Sequence, residues 1–228
     1  MEKSEILEFV KQMKAKDHVI MFYSTLEDKH KVLFTYLKAG LDAGEAAAYV
    51  ASQESLDEVR EAMKKFGVDV DRFERSGALR VIDYKDWYII GGRFNASKAK
   101  ELLKERYDEA VAKGFKGLRI TGEMACFFNH GMVKELVEYE KSMRKVFEIP
   151  VTGICAYDTN LVANEGRGGL YLDLIKAHST VVFAGPEAGL VKSRSEVMAS
   201  GLEASTLPRI SPSSFRLKSL EESRPRLS

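Results

Sequence analysis

From His18 onward, short runs rich in Val, Ile and aromatic residues alternate with longer segments whose apolar residues recur at intervals of three and four. The short runs suit buried strands, and the longer segments place their apolar residues on one face of a helix. Their alternation commits the chain to repeated β-α units and a mainly parallel sheet, an α/β three-layer sandwich. The pattern predicts strands at 18–23, 46–51, 79–83, 117–121, 151–157 and 181–184. The helices between them are marked by Val32, Tyr36 and Leu37, by Val59, Met63 and Phe66, by Leu102, Tyr107 and Val111, and by Val133, Val137 and Met143. A leader helix at 4–13 and a further helix at 171–177 complete the set.

The 228 residues, 45% of them hydrophobic and 30% charged, suffice for one sizeable core. Lys and Arg number 35 against 34 Asp and Glu, and a formal charge of +1 gives no general pull toward nucleic acid or an anionic membrane. No direct nucleic-acid binding is therefore expected. Cys126 and Cys155 form no CxxC pair and sit in apolar runs, which speaks against a disulfide framework or a zinc site, so no metal ligands are expected. The amino terminus is charged throughout and no stretch of about 18 apolar residues occurs, so the expectation is a cytoplasmic protein that does not cross a membrane. After Pro186 the composition turns to Ser, Arg, Pro and Leu without a sustained period. This divides the chain into a domain at 1–185 and a tail at 186–228, loosely ordered or docked on another surface.

In an open parallel sheet, ligands bind beyond the carboxyl ends of the strands, where loops and helix amino termini meet. The predicted strand exits carry Tyr23, Ser24 and Thr25, then Ser52, Gln53 and Glu54, then Asp83 and Tyr84, then Glu123 and Met124, then Tyr157 and Asp158. Loops are polar in any protein, so this convergence is in part a consequence of architecture.

A working phosphate loop follows such a strand with GxxxxGK[ST], because glycines let backbone N–H groups wrap the phosphates while Lys and a hydroxyl manage charge and magnesium. Here the first strand leads into Ser24-Thr25-Leu26-Glu27-Asp28-Lys29-His30-Lys31. Lys29 takes the place of the loop lysine and His30 that of the hydroxyl residue, but the glycines are absent. Glu27 and Asp28 would repel a triphosphate at that spot, and Asp28 reads simply as a helix N-cap.

The run HVIMFYSTLEDKHKVLFTYLKAGLDAGEAAAYVASQESLDEVREAMKKFGVDV, followed in order by YIIGGRF, GLRITGEMACFF, ELVEYEKSMRKVF and GICAYDTNLV, resembles the MEDS domain, the sensory domain of methanogens, methylotrophs and the dichloromethane-responsive repressor. The likeness covers residues 5–185. MEDS domains in turn look like a degenerate branch of the KaiC and RecA group, so the resemblance implies a RecA/KaiC-like sheet. It also implies a sensor of small ligands, apolar hydrocarbon-like ones among them, that signals to a transcription or signalling partner. This chain shows no helix-turn-helix, kinase or phosphoacceptor segment, so its output must pass through a partner protein or the tail.

By resemblance, interest falls on His18, Gly44, Glu45, Gly92 and Phe94, on Gly122, Glu138, Tyr139, Glu140 and Cys155, and on Tyr23, Tyr88, Arg93, Arg119, Glu123, Met124 and Tyr157; these last seven, with Ser24 and Lys29 from the strand exit and loop, are the ligand candidates. Glu123 ends a strand after a glycine, where the RecA group keeps acidic chemistry, and Arg119 is placed to pair with it or with Glu140. A structural ion pair explains the same residues. His18 opens the first strand, away from the expected site, and reads as a structural hydrogen-bonding residue. The stretch Trp87-Tyr88 to Phe94 reads either as a glycine-hinged lid with Arg93 as an anion clamp, or as a turn with its aromatics tucked on the core. Both cysteines read as small buried hydrophobes, with a redox-sensitive thiol at either as the alternative where nearby partners allow it.

No nucleophile elbow, HExxH or paired acid and base appears, so no catalytic residues are assigned. The reading is a non-catalytic small-molecule sensory domain with a degenerate phosphate loop and an unknown cofactor. The alternative is a KaiC-like protein that binds or hydrolyses ATP through Lys29 and Glu123, and a third is an interaction scaffold whose ancestral pocket is filled by side chains. Self-association into a homo-oligomer stays open.

Overall fold

The computed structural model describes residues 3–185 and 188–192. Helix α1 (Lys3–Lys11) precedes strand β1 (His18–Tyr23), helix α2 (Leu26–Asp42) and strand β2 (Ala46–Ala51). Helices α3 (Leu56–Phe66) and α4 (Val70–Ser76) lead to strand β3 (Leu79–Asp83). A small hairpin, β4 (Ile89–Ile90) and β5 (Arg93–Phe94), comes before α5 (Ala96–Ala112) and β6 (Leu118–Glu123). Then follow α6 (Ala125–Asn129), α7 (Val133–Met143), β7 (Val151–Asp158), α8 (Thr159–Asn164), α9 (Leu170–Lys176), β8 (Thr180–Ala184) and β9 (Gly189–Lys192).

The main sheet has the order β3-β2-β6-β7-β1-β8-β9. Its pairings are parallel except for β8 with β9. Strands β1, β2 and β6 are buried along their whole length, which suits the near-continuous apolar runs of β1 and β2, while β6 buries Arg119, Thr121 and Glu123 as well. One face packs on α1 to α4 through Val19, Met21 and Tyr23 of β1, and the other on α5 to α9 through Ile20 and Phe22. This is the three-layer α/β arrangement expected from the pattern.

The six anticipated strands are present, with β6 running on to Glu123. The sequence pattern did not reveal α4, α6 and α8, which are too short to develop a period, nor the hairpin β4–β5. In that hairpin Gly91 and Gly92 have φ of +59° and +78°, backbone that glycine adopts freely in a tight two-residue turn. Trp87 and Tyr88 beside it are buried, the arrangement of a turn with its aromatics on the core. Strand β9 falls within the stretch assigned to the tail and extends the sheet past residue 185. The remainder, 193–228, lies outside the described residues.

Candidate functional site

Two polar clusters sit within the sheet layers. The first lies at the carboxyl ends of β1, β2 and β6. Thr25, not Asp28, is the N-cap of α2: its side chain accepts from the Asp28 N–H and donates back to the Asp28 carboxylate. The residues just inside the cap, Leu26 and Glu27, are exposed, whereas Lys29 on the inward face is completely buried. Its Nζ lies 2.5 Å from Glu123 Oε1 and 2.7 Å from Glu54 Oε2. Glu123 Oε1 also accepts from the Tyr49 hydroxyl at 2.5 Å, while Oε2 accepts from the N–H groups of Ser52 and Gln53 at 2.6 and 2.7 Å. Both oxygens of this buried carboxylate are thus satisfied, as burial of a charge demands.

Glu54 faces His30 as well, with 2.7 Å between Nε2 and Oε2. Partial burial pushes its carboxyl up, but the hydrogen bonds from His30 and Lys29 outweigh that and hold its pKa down at about 2. Tyr23 donates to Gln53 Oε1, and Gln53 Nε2 donates to Asp158 at 3.0 Å. Burial, reinforced by the charge of Glu123, drives the Tyr23 hydroxyl far up, so it remains a neutral donor.

The second cluster lies on the opposite part of the sheet, under α7 and α9. His18 at the start of β1, Cys155 in β7, Glu140 on α7 and His178 just before β8 converge there, and their donor atoms lie within 4.8 Å of one another. His18 Nδ1 donates to the Arg144 carbonyl at 2.7 Å and His178 Nδ1 to the Leu174 carbonyl at 2.8 Å. Both Nε2 atoms therefore face Glu140 Oε2, at 3.5 and 3.4 Å. The Tyr157 hydroxyl donates to the other carboxylate oxygen at 2.5 Å. Burial, and then the charge of His178, lowers the pKa of His18; burial, and then Glu140, raises that of the Cys155 thiol. A cavity of about 30 Å³ borders Cys155, Tyr88 and Phe147. Leu103, Met143 and Phe147 separate it from an open groove of about 650 Å³ between α5 and the end of α7.

Residues 17–178 match the family described as MEDS, the methanogen/methylotroph, DcmR sensory domain. The chain belongs to the MEDS family. Among curated proteins, this MEDS chain is similar to the transcriptional repressor DcmR of Methylorubrum extorquens (strain DSM 6343 / CIP 106787 / DM4), at 23% identity over 165 residues. The match takes in 71% of the MEDS chain and 58% of the repressor, so the chain spans little more than half of that relative. Among solved structures it resembles a KaiC-like protein from Pyrococcus horikoshii OT3, with a TM-score of 0.53 at 17% identity, covering 79% of this chain and 80% of that one. This likeness establishes a KaiC-like fold. No helix among the described residues is long and apolar enough to cross a membrane.

The MEDS chain does not bring its nine ligand candidates to one place. Tyr23, Lys29 and Glu123 meet in the first cluster, and Tyr157 belongs to the second, with Tyr88 lining the cavity beside it. Ser24 is exposed at the strand exit, and Met124 is a buried core residue. Arg93 is exposed on the hairpin. Arg119 neither pairs with Glu123 nor with Glu140. Its place in β6 is four residues before Glu123, about 13 Å back along the strand, where it binds Glu45 and the carbonyls of Val10, Lys11 and Tyr36. Lys29 instead makes the pairing with Glu123 that was expected of Arg119. His18 has the hydrogen bond expected of a structural residue, yet it also faces a carboxylate, a thiol and a second imidazole. His178 had no sequence signal: it stands 160 residues from His18 with no local motif, and the sheet order alone makes them neighbours.

Proposed function

We propose that this MEDS chain is a non-catalytic sensory module that takes up a small, largely apolar ligand and passes the change to a partner protein. The observation that carries the reading is the state of Lys29. A phosphate-loop lysine must offer its ammonium to a polyphosphate, whereas this one is buried and held by two carboxylates. A triphosphate entering there would have to displace Glu123 and Glu54 and would meet their charge. This is the sense in which the loop reads as degenerate, and it speaks against the ATP-dependent alternative.

The groove between α5 and α7 is of a size that suits a small organic molecule. In this reading the ligand lies there, with Tyr88 reached through the cavity behind Leu103 and Met143. The output partner is a signalling or transcription protein, in keeping with a relative that is a transcriptional repressor.

The test is a thermal-shift series, since a ligand held only by the native state raises the melting point by mass action. Magnesium-ATP should leave the melting temperature unchanged, and at least one member of a panel of metabolites and small hydrocarbon derivatives should raise it. Magnesium-dependent ATP hydrolysis lost in Lys29→Ala would overturn the reading. Silence across the whole panel would favour a scaffold, for which the side chains filling the carboxyl edge already speak.

A further inference from the structure

The second cluster has too few protons for its lone pairs. The Arg144 and Leu174 carbonyls can only accept, so each Nδ1 carries a hydrogen, and a ring holding that one hydrogen presents a bare Nε2 to the centre. Glu140 Oε2 is a third acceptor aimed at the same point. The available hydrogen is that of the Cys155 thiol, whose Sγ lies 3.4 Å from His18 Nε2 and 3.7 Å from Glu140 Oε2, and it serves one of them at a time. His178 Nε2, although 3.4 Å from Oε2, lacks hydrogen-bond geometry and has no partner despite complete burial. Three acceptors facing one point beneath the sheet layers call for a cation.

We propose that His18, Glu140, Cys155 and His178 form a binding site for a divalent d-block ion of the zinc class. Around a tetrahedral ion with ordinary Zn–N, Zn–O and Zn–S bonds, ligand atoms stand about 3.3 to 3.7 Å apart. Four of the six separations, 3.5, 3.4, 3.4 and 3.7 Å, fall in that range, and all six lie within 4.8 Å, so binding would draw the remaining ligand atoms together. Two imidazoles and a thiolate select a borderline-soft ion over magnesium or calcium, which prefer oxygen ligands. Charge closes as well: a dication balances one carboxylate and one thiolate, leaving a neutral set in a buried place. Binding releases the Cys155 thiol proton.

The outer shell of such a site is already in position. The two backbone carbonyls orient the imidazoles, and Tyr157 holds the second oxygen of Glu140. Phe147 covers His18 with ring centroids 4.5 Å apart. Gly153 gives Phe147 its room, for a Cβ there would stand 2.7 Å from the ring.

The proposal does not rest on the sensory reading, and its test reads the metal directly. The full chain, stripped with a chelator, is titrated with cobalt(II) and with zinc(II). The expected result is one equivalent bound, with the strong visible bands of tetrahedral cobalt, a thiolate-to-cobalt charge-transfer band in the near ultraviolet, and a raised melting temperature with zinc. Cys155→Ser should remove the charge-transfer band. His178→Gln should weaken binding by more than the roughly 10- to 100-fold that loss of an outer-shell partner costs, and His130→Gln should leave it unchanged. Should a variant fail to fold, the cobalt spectrum of the unaltered chain decides by itself. No stoichiometric uptake, cobalt bands of octahedral type, or a charge-transfer band that survives in folded Cys155→Ser would overturn the site and leave a protonated ion-pair network in its place.

Discussion

An ammonium group with no water around it persists only where fixed carboxylates replace its hydration, and Lys29 shows what that requires. Glu123 supplies the fully buried partner and Glu54 the partly buried one, and both are placed by strand exits that the chain forms for other reasons. Removing one member of such a pair typically costs about 3–5 kcal/mol, because the other charge is left stranded. The same contacts make stability depend on acid. Glu54 has its pKa lowered from 4.5 to about 2 in the folded protein, so it contributes stability above the unfolded value and loses it as pH falls from 4.5 toward 2. Urea midpoints measured across that window should decline, and Glu54→Gln, less stable at neutral pH, should decline less steeply. Equal slopes in the two proteins would show that other carboxylates set the acid response.

Elements meet at residues whose worth is invisible locally. Arg119 ties the last carbonyls of α1 to β6 and to Tyr36 of α2, and Glu45 at the start of β2 completes the joint. Gly40 of α2 lies against this guanidinium, and a Cβ there would overlap Arg119 Cδ and Nε and approach Glu45 Oε2 to 2.9 Å. Helix propensity alone argues that Gly40→Ala should stabilise the protein by up to about 1 kcal/mol. Overpacking a side chain held by this many bonds costs about 1–3 kcal/mol. The expected outcome is therefore net destabilisation in chemical denaturation, with faster amide exchange in α1. A stabilised variant would show that the arginine joint yields. Gly122 has the same relation to the Tyr88 hydroxyl, which stands too close to leave room for a Cβ there.

At the scale of the whole molecule, the sheet separates a closed ion-paired cluster at its carboxyl edge from a histidine-cysteine cluster on the side of α7 and α9. The edge strand β9 also belongs to this scale. Paired antiparallel from Gly189 to Lys192, it covers the main-chain groups of β8 that would otherwise template aggregation. A chain ending at residue 185 should therefore melt at a lower temperature and aggregate more readily than one ending at residue 192. Equal behaviour in light scattering and thermal melts would show that β9 is dispensable.

The sequence by itself determined the layers. Period two or continuous apolar runs against period three and four are local properties of β1, β2, β3, β6, β7 and α2, and burying those faces leaves little choice of fold class. It also carried Lys29 and Glu123 as members of one site, because strand exits and helix starts share an edge in any parallel sheet. Tertiary structure alone decided the rest. Whether Lys29 pointed outward to a ligand or inward to Glu123 depended on Tyr49, Ser52 and Gln53 from another strand. Arg119 went to the far edge because a strand advances about 3.3 Å per residue and does not fold back on itself. His18, Glu140 and Cys155 come from three elements and His178 from the connection before β8, spread over 160 residues, and only the order β7-β1-β8 makes them neighbours.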